Sequence, residues 1–402
     1  MIVGKRVLRA GVSLLLPSVL LAGCYPVGGG QTMDESEVKL GDTVLALYAT
    51  TQSMDEVSVG YVMLFDAEGE VKQIQTKGMD NGMIGWDDNG LFFADTERDF
   101  RLDQDGLTAW ESPKSDFQDA LFRKPDGSGY VALYNLGFDD DLGYTDQVVD
   151  TTGNSSQVYE MVGWQRVAGW CDGSMYGISE AAGPYIPLAQ AQGATERETA
   201  FYWPDVLTQL YPKPDSAEAA YRSVRPDQNI TETAYYAQTN SCSDGSLITI
   251  NEDDTTDKGW VSSVTVWPVD GGTPVTHEMD IDPEIASFAQ TASWSPDPQH
   301  VVWLGGDGIV RSTNTTDGTS TELWDSETDF GATGSSQATF VGDTVFIFHP
   351  TGEANDGNMQ LTSHNLTTGE TRDILTTSHG VGDDRFPLLP RGIAVNPNLT
   401  TK

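Results

Sequence analysis

Carboxylates dominate the chemistry open to this chain. Its 402 residues carry 60 Asp and Glu against 22 Lys and Arg, a formal net charge of −38. Two runs place oxygen ligands at alternate positions, as a hard cation such as Ca2+ requires. One holds Asp139, Asp140 and Asp141 ahead of Gly143; the other is NEDDTTDKG, residues 251–259, with Asp253, Asp254 and Asp257. Neither ends in the bidentate Glu that closes an EF-hand loop, so solvated acidic loops are the favoured reading of both and Ca2+ is the alternative. A second chemistry is recognition. The stretch 181–230 gathers Tyr185, Tyr221, Arg197, Arg222 and Arg225 in an otherwise anionic chain, and aromatic residues with Arg are the side chains of binding hot spots. The plainer alternative is that the tyrosines pack loops onto the body and the arginines pair with nearby acids.

Catalytic constellations are missing. There is no Gly-x-Ser-x-Gly elbow, His277-Glu278 lacks the second histidine of a zincin, and no glycine loop suits a phosphate. The five histidines, His277, His300, His349, His364 and His379, show no ligand spacing. Nucleic acid is excluded as a partner, because phosphate binding needs a basic footprint that this charge balance lacks. Paired carboxylates could serve glycoside chemistry, so a hydrolase or lyase remains as the least favoured reading and the sequence leans against an enzyme.

The first residues carry an address. Lys5, Arg6 and Arg9 precede an apolar run from Ala10 to Ala22 that is broken by Pro17, a secretory pattern too short to span a bilayer. Leu21-Ala22-Gly23-Cys24 resembles the lipobox of prokaryotic lipoproteins. That resemblance implies cleavage before Cys24 and its acylation, giving a signal peptide at 1–23 and an extracytoplasmic protein held at a membrane by lipid. Residues 24–39, with Gly28-Gly29-Gly30, read as a flexible tether.

Behind the tether the chain repeats itself. A short apolar run, a turn, a second apolar run, a turn, a third run, a turn and a half-polar run recur as strands A, B, C and D. The A–B turn appears at Gly41-Asp42, Asn89-Gly90, Asp126-Gly127, Asp172-Gly173, Asp244-Gly245, Asp297-Pro298 and Gly342-Asp343. A period of roughly 40–50 residues with four strands per unit is the signature of a β-propeller. The first unit has no A strand of its own, and Gly392-Ile393-Ala394-Val395 stands at the other end with nothing after it. The expected fold is therefore all-β, a seven-bladed propeller over 40–397 closed by the C-terminal strand, which leaves no open edge. Eight blades is the alternative, because 72 residues separate Asp172 from Asp244 where 45 separate Asp297 from Gly342. Ser295-Pro296-Asp297 followed by Val301-Val302-Trp303-Leu304, and Lys124-Pro125-Asp126-Gly127-Ser128 followed by Tyr130-Val131-Ala132-Leu133, resemble the repeats of TolB-like propellers. The resemblance implies a fold and a tendency to bind, with no reaction attached.

In such a meander the B–C and D–A loops share one face of the ring. That face is expected to carry a rim of carboxylates, among them Asp95, Asp146, Asp253 and Asp307, and an insertion lobe over 181–230. Cys171 and Cys242 fall at equivalent positions before two A–B turns, and in an oxidising compartment they are expected to form a disulfide, with two reduced thiols as the alternative. The leading expectation is a non-catalytic scaffold that presents a face to an envelope protein. A receptor for a small solute, cation or glycan is the second.

Overall fold

A computed structural model describes residues 31–50, 59–196, 203–225, 230–235, 242–287, 292–330, 336–351, 358–379 and 388–401. These form seven sheets arranged as a propeller: five are four-strand antiparallel meanders in chain order, and blades 1 and 5 have five strands each. The A strands make the inner ring. Leu389–Val395 touches Ile84–Asp87, which touches Gln118–Arg123, and the contacts continue through Val167–Cys171, Cys242–Ser243, Ala292–Asp297 and Gln337–Val341 back to Leu389–Val395.

Position in the blade explains the sequence pattern. A B strand lies mid-sheet with neighbouring blades against both its faces, so it must be apolar throughout. Every residue of Leu45–Thr50 and of Gly90–Ala94 is buried. The outermost strands meet water, and Leu107–Glu111 and Ser320–Asp325 have no buried residue. The cores accordingly lie between blades. Leu45, Leu47, Met63 and Phe65 of blade 1 pack on Phe346, Phe348 and Leu361 of blade 7, with the Phe65 and Phe348 rings 5.6 Å apart. The tight A–B turns of blades 4 and 5 need two consecutive left-handed residues to match strand twist. Asp172-Gly173 (φ 48° and 77°) and Asp244-Gly245 (47° and 67°) supply them.

Closure follows the expected route. Leu389–Val395 pairs antiparallel with Leu45–Thr50, with Leu45 opposite Val395 and Leu47 opposite Ile393. The Asn396 side chain then donates to the Thr43 carbonyl at 3.2 Å. Arg391 adds a bond to Thr50 at 2.9 Å and an ion pair to Asp80 at the entry to blade 2.

The end of the expected tether is not free. Gln31–Thr32 adds a short parallel strand to the outer edge of blade 1. Glu35 then forms a two-pronged pair with Arg98 of blade 2, at 2.9 and 3.1 Å. Val38 and Leu40 are buried in the core shared by blades 1 and 2. Their burial offsets the entropy of ordering the segment, so residues 31–40 are a strap along the ring.

A chain ending at residue 387 would leave the apolar edge of Leu45–Thr50 unpaired and the core between blades 1 and 7 open to water. Such a truncation is expected to lose its cooperative thermal transition by circular dichroism, whereas one ending at 401 melts like the full chain.

Candidate functional site

Among the described residues, blade 3 has the longest B–C hairpin, on the face of the ring where the B–C loops lie. Its B and C strands, Gly129–Asp139 and Gly143–Thr152, run past the end of the A strand Gln118–Arg123. A bulge between Asn135 and Gly137 turns the hairpin there. With no A strand beneath it, the tip presents apolar side chains to solvent: Leu136, Phe138, Leu142 and Tyr144 are 39, 67, 40 and 46% exposed. Phe138 and Tyr144 are direct cross-strand partners, their rings edge to face at 5.4 Å. Tyr144 continues to Trp164 at 5.9 Å. Trp164 lies on the crossing to blade 4, which is fixed where the Gly163 amide donates to the Tyr144 carbonyl at 2.7 Å.

Blade 4 supplies the facing wall. Glu180, Ala181, Ala182, Gly183, Ile186 and Trp203, together with the hairpin tip, Trp164 and Arg166, enclose a groove of about 560 Å³. Glu180 Oε1 accepts the Trp203 amide at 3.0 Å. The Arg166 guanidinium is held within 3.5 Å of Asp205 and 3.9 Å of Glu180, and donates to the Thr233 carbonyl at 3.0 Å. The groove is thus aromatic and aliphatic, with Asp141 and Glu180 as its carboxylates.

Two acids, Asp146 buried and Asp119 half-buried, support the Trp164 crossing. The indole donates to Asp119 at 3.1 Å and the Gln165 amide to Asp146 at 2.8 Å. Burial pushes the Asp119 carboxyl up to about 7, against the opposing hydrogen bond from Trp164. Asp146 is raised well above the usual carboxylate range, first by burial and then by the charge of Asp119.

The residues singled out in the sequence are distributed differently from the expected lobe. The stretch 181–230 does not make one lobe on one face. A helix α1 (Tyr185–Ala191) lies between the B and C strands of blade 4, but residues 212–220, with helix α2 (Ala217–Ala220), join its C and D strands at the other end. Tyr185 is buried among Ala189, Ala220 and Val224, 6.4 Å from the Tyr221 ring. Arg222 donates to the Ala219 and Tyr221 carbonyls and to Gln209. Arg225 is 1% exposed and makes a two-pronged pair with Asp253 at 3.0 and 2.7 Å. Tyr185 and Arg225 are thus buried inside blades 4 and 5, and Tyr221 and Arg222 are half-buried beside them. Arg197 lies outside the described residues, as does Cys24.

The acidic runs also separate. The Asp253 carboxylate accepts from Arg225, Thr233, Asn251 and Ser263, which fills its lone pairs and leaves nothing for a cation. Asp254 is half-buried and Asp257 exposed, and Asp139 accepts the amides of Asp141 and Leu142 in the hairpin turn. Asp140 and Asp141 point to solvent. Of the expected rim, Asp95 and Asp146 are buried as well. Cys171 and Cys242 are joined, with Cα atoms 5.1 Å apart, tying blade 4 to blade 5. The groove itself was missed in the sequence: residues 134–144, YNLGFDDDLGY, show apolar residues flanking the acids, and only the acids drew notice.

Residues 38–184, the end of the strap through the first half of blade 4, are similar to the family described as the YycP β-propeller domain. No curated protein matches the sequence. Among solved structures, BamB from Moraxella catarrhalis aligns at 11% identity over 72% of this chain and 73% of its own, with a TM-score of 0.38. Apo AztD from Citrobacter koseri aligns at 9% identity over 88% and 98%, TM-score 0.40. The WD40 β-propeller domain of Doa1 aligns at 12% identity over 87% and 96%, TM-score 0.42. None of these likenesses bears on a ligand.

Two variants test this account. Arg225→Ala strands the Asp253 charge in the interior and is expected to cost about 3–5 kcal/mol in a denaturant titration. Asp119→Asn keeps an acceptor for Trp164 and removes a carboxyl whose folded value lies above its unfolded one. That carboxyl stabilises the fold fully below about pH 4, and its contribution is lost as pH rises through about 7. The stability of the variant relative to the parent is therefore expected to rise between pH 4 and 7, which urea titrations across that range would show.

Proposed function

We propose that this chain is a non-catalytic binding propeller, exported and held at a membrane by lipid on Cys24, which receives a polypeptide of the cell envelope in the groove between blades 3 and 4. The observation that carries this reading is the exposed apolar hairpin. Contiguous exposed apolar patches mark interaction sites, and aromatic anchors beside a well-formed pocket are where binding energy concentrates. Net charge supports a basic partner, since an acidic surface of this strength steers cationic surfaces toward it. Among the described residues of the lining, Glu180 is engaged by Trp203 and lies beside Arg166, and the second carboxylate, Asp141, is exposed at the hairpin tip.

The volume favours a second reading. A groove of about 560 Å³ is the size of a small-molecule site, and its rings would also stack on a sugar.

A photo-crosslinking residue in place of Leu142, introduced into the lipoprotein in its own cells, tests the first reading. One envelope protein is expected to be captured from position 142, to be lost with Phe138→Ser, and not to appear from Leu323 on blade 6, which is 45% exposed. Equal capture from both positions, or none from 142, would exclude the groove as the protein-binding site.

A further inference from the structure

We infer that the groove takes a basic side chain, Lys or Arg, as the anchor of its polypeptide partner; this rests on the binding role proposed above. The groove is an aromatic surface first. Phe138, Tyr144 and Trp164 form a continuous wall with ring separations of 5.4 and 5.9 Å, and Trp203 lies on the lining contributed by blade 4. The faces of such rings attract a cation through their quadrupole, most strongly those of Trp.

Charge selects among apolar-stemmed ligands. The charged groups of the lining are Asp141, Glu180 and Arg166. Arg166 is turned inward: its side chain is 9% exposed against 26% for Glu180, and it already spans Asp205, Glu180 and the Thr233 carbonyl. An incoming group therefore meets carboxylate before guanidinium. Asp139 and Asp140 extend the same sign over the hairpin tip. An acidic anchor would bring like charge to Asp141 and Glu180, and a neutral amide would offer them a hydrogen bond without the charge. A Lys or Arg side chain lays its methylenes along Leu142 and Ile186 and brings its charge to Glu180, with the indoles of Trp164 and Trp203 beside it. Long cationic side chains bury apolar stems in this way while keeping the head in a polar setting.

Dye-labelled, end-capped octapeptides that differ only at one central residue, Leu-Arg-Leu, Leu-Gln-Leu or Leu-Glu-Leu, test this by fluorescence anisotropy with the full chain in detergent. Measurements belong at physiological salt, where a diffuse acidic surface is screened beyond about 8 Å. The Arg peptide is expected to bind about ten-fold tighter than the Gln peptide, a cation–π and ion-pair contribution of ordinary size, and the Glu peptide weakest. Glu180→Gln, which still accepts the Trp203 amide, is expected to remove most of the Arg preference, and Phe138→Ser to weaken Arg and Gln peptides alike. Melting curves of both variants that overlay the parent separate these effects from misfolding. Equal affinity for Arg and Gln peptides, or no binding by the Arg peptide, overturns the anchor chemistry even if position 142 captures a partner in cells. Arg binding that neither substitution alters assigns it to the general acidic surface and overturns it too.

Discussion

The ring holds because its two ends share one sheet. A propeller blade has apolar faces that only its neighbours can cover, and a sheet edge left open invites pairing with other chains. Pairing Leu389–Val395 with Leu45–Thr50 answers both demands at once. It completes blade 1 and brings the Phe65 and Phe348 rings into the core between the first and last blades. The strap of residues 31–40 extends the same logic outward, adding a strand to the rim and filling the seam to blade 2.

Much of the acid in this chain is structural. Asp80 receives Arg391, Asp99 receives Lys114 at 3.0 Å, Asp253 receives Arg225, and Asp119 and Asp146 receive the indole and amide of consecutive residues. All of these meet a crossing between blades or the closing strand. The crossings must pass over buried ground, and their polar groups need partners there. Buried pairs of this kind add little net stability but penalise any arrangement that separates them, so they define how successive blades sit. The three ion pairs among them cancel internally and leave the net charge of −38 to the rest of the chain.

A site arises where the repeat is broken. In blade 3 two strands outlast their inner neighbour, and in blade 4 the B–C connection is long enough to form α1 and a facing wall. The overhang exposes rings of the kind that are buried where blades pack, as Phe92 and Tyr130 are, stacked at 4.6 Å between blades 2 and 3. A rigid ring holds this aromatic surface open at little cost in ordering entropy.

The blades were legible in the amino-acid sequence because their determinants are local. Asp-Gly turns, apolar B runs and half-polar D runs each depend on residues a few positions apart, and their recurrence in register counts the blades. The position of the closing strand was legible too, since Ile393 to Val395 lacked any neighbour of its own. The fate of individual side chains was not. Tyr185 and Arg225 looked like part of a recognition surface by composition, but whether a side chain faces water depends on what packs against it, and Ala220, Val224 and Asp253 bury them. Phe138 and Tyr144 flank the acidic run that carried the cation reading, and they are exposed because the A strand of blade 3 stops short beneath them. Strand and turn belong to the chain itself; burial and exposure belong to the packing of one blade on the next.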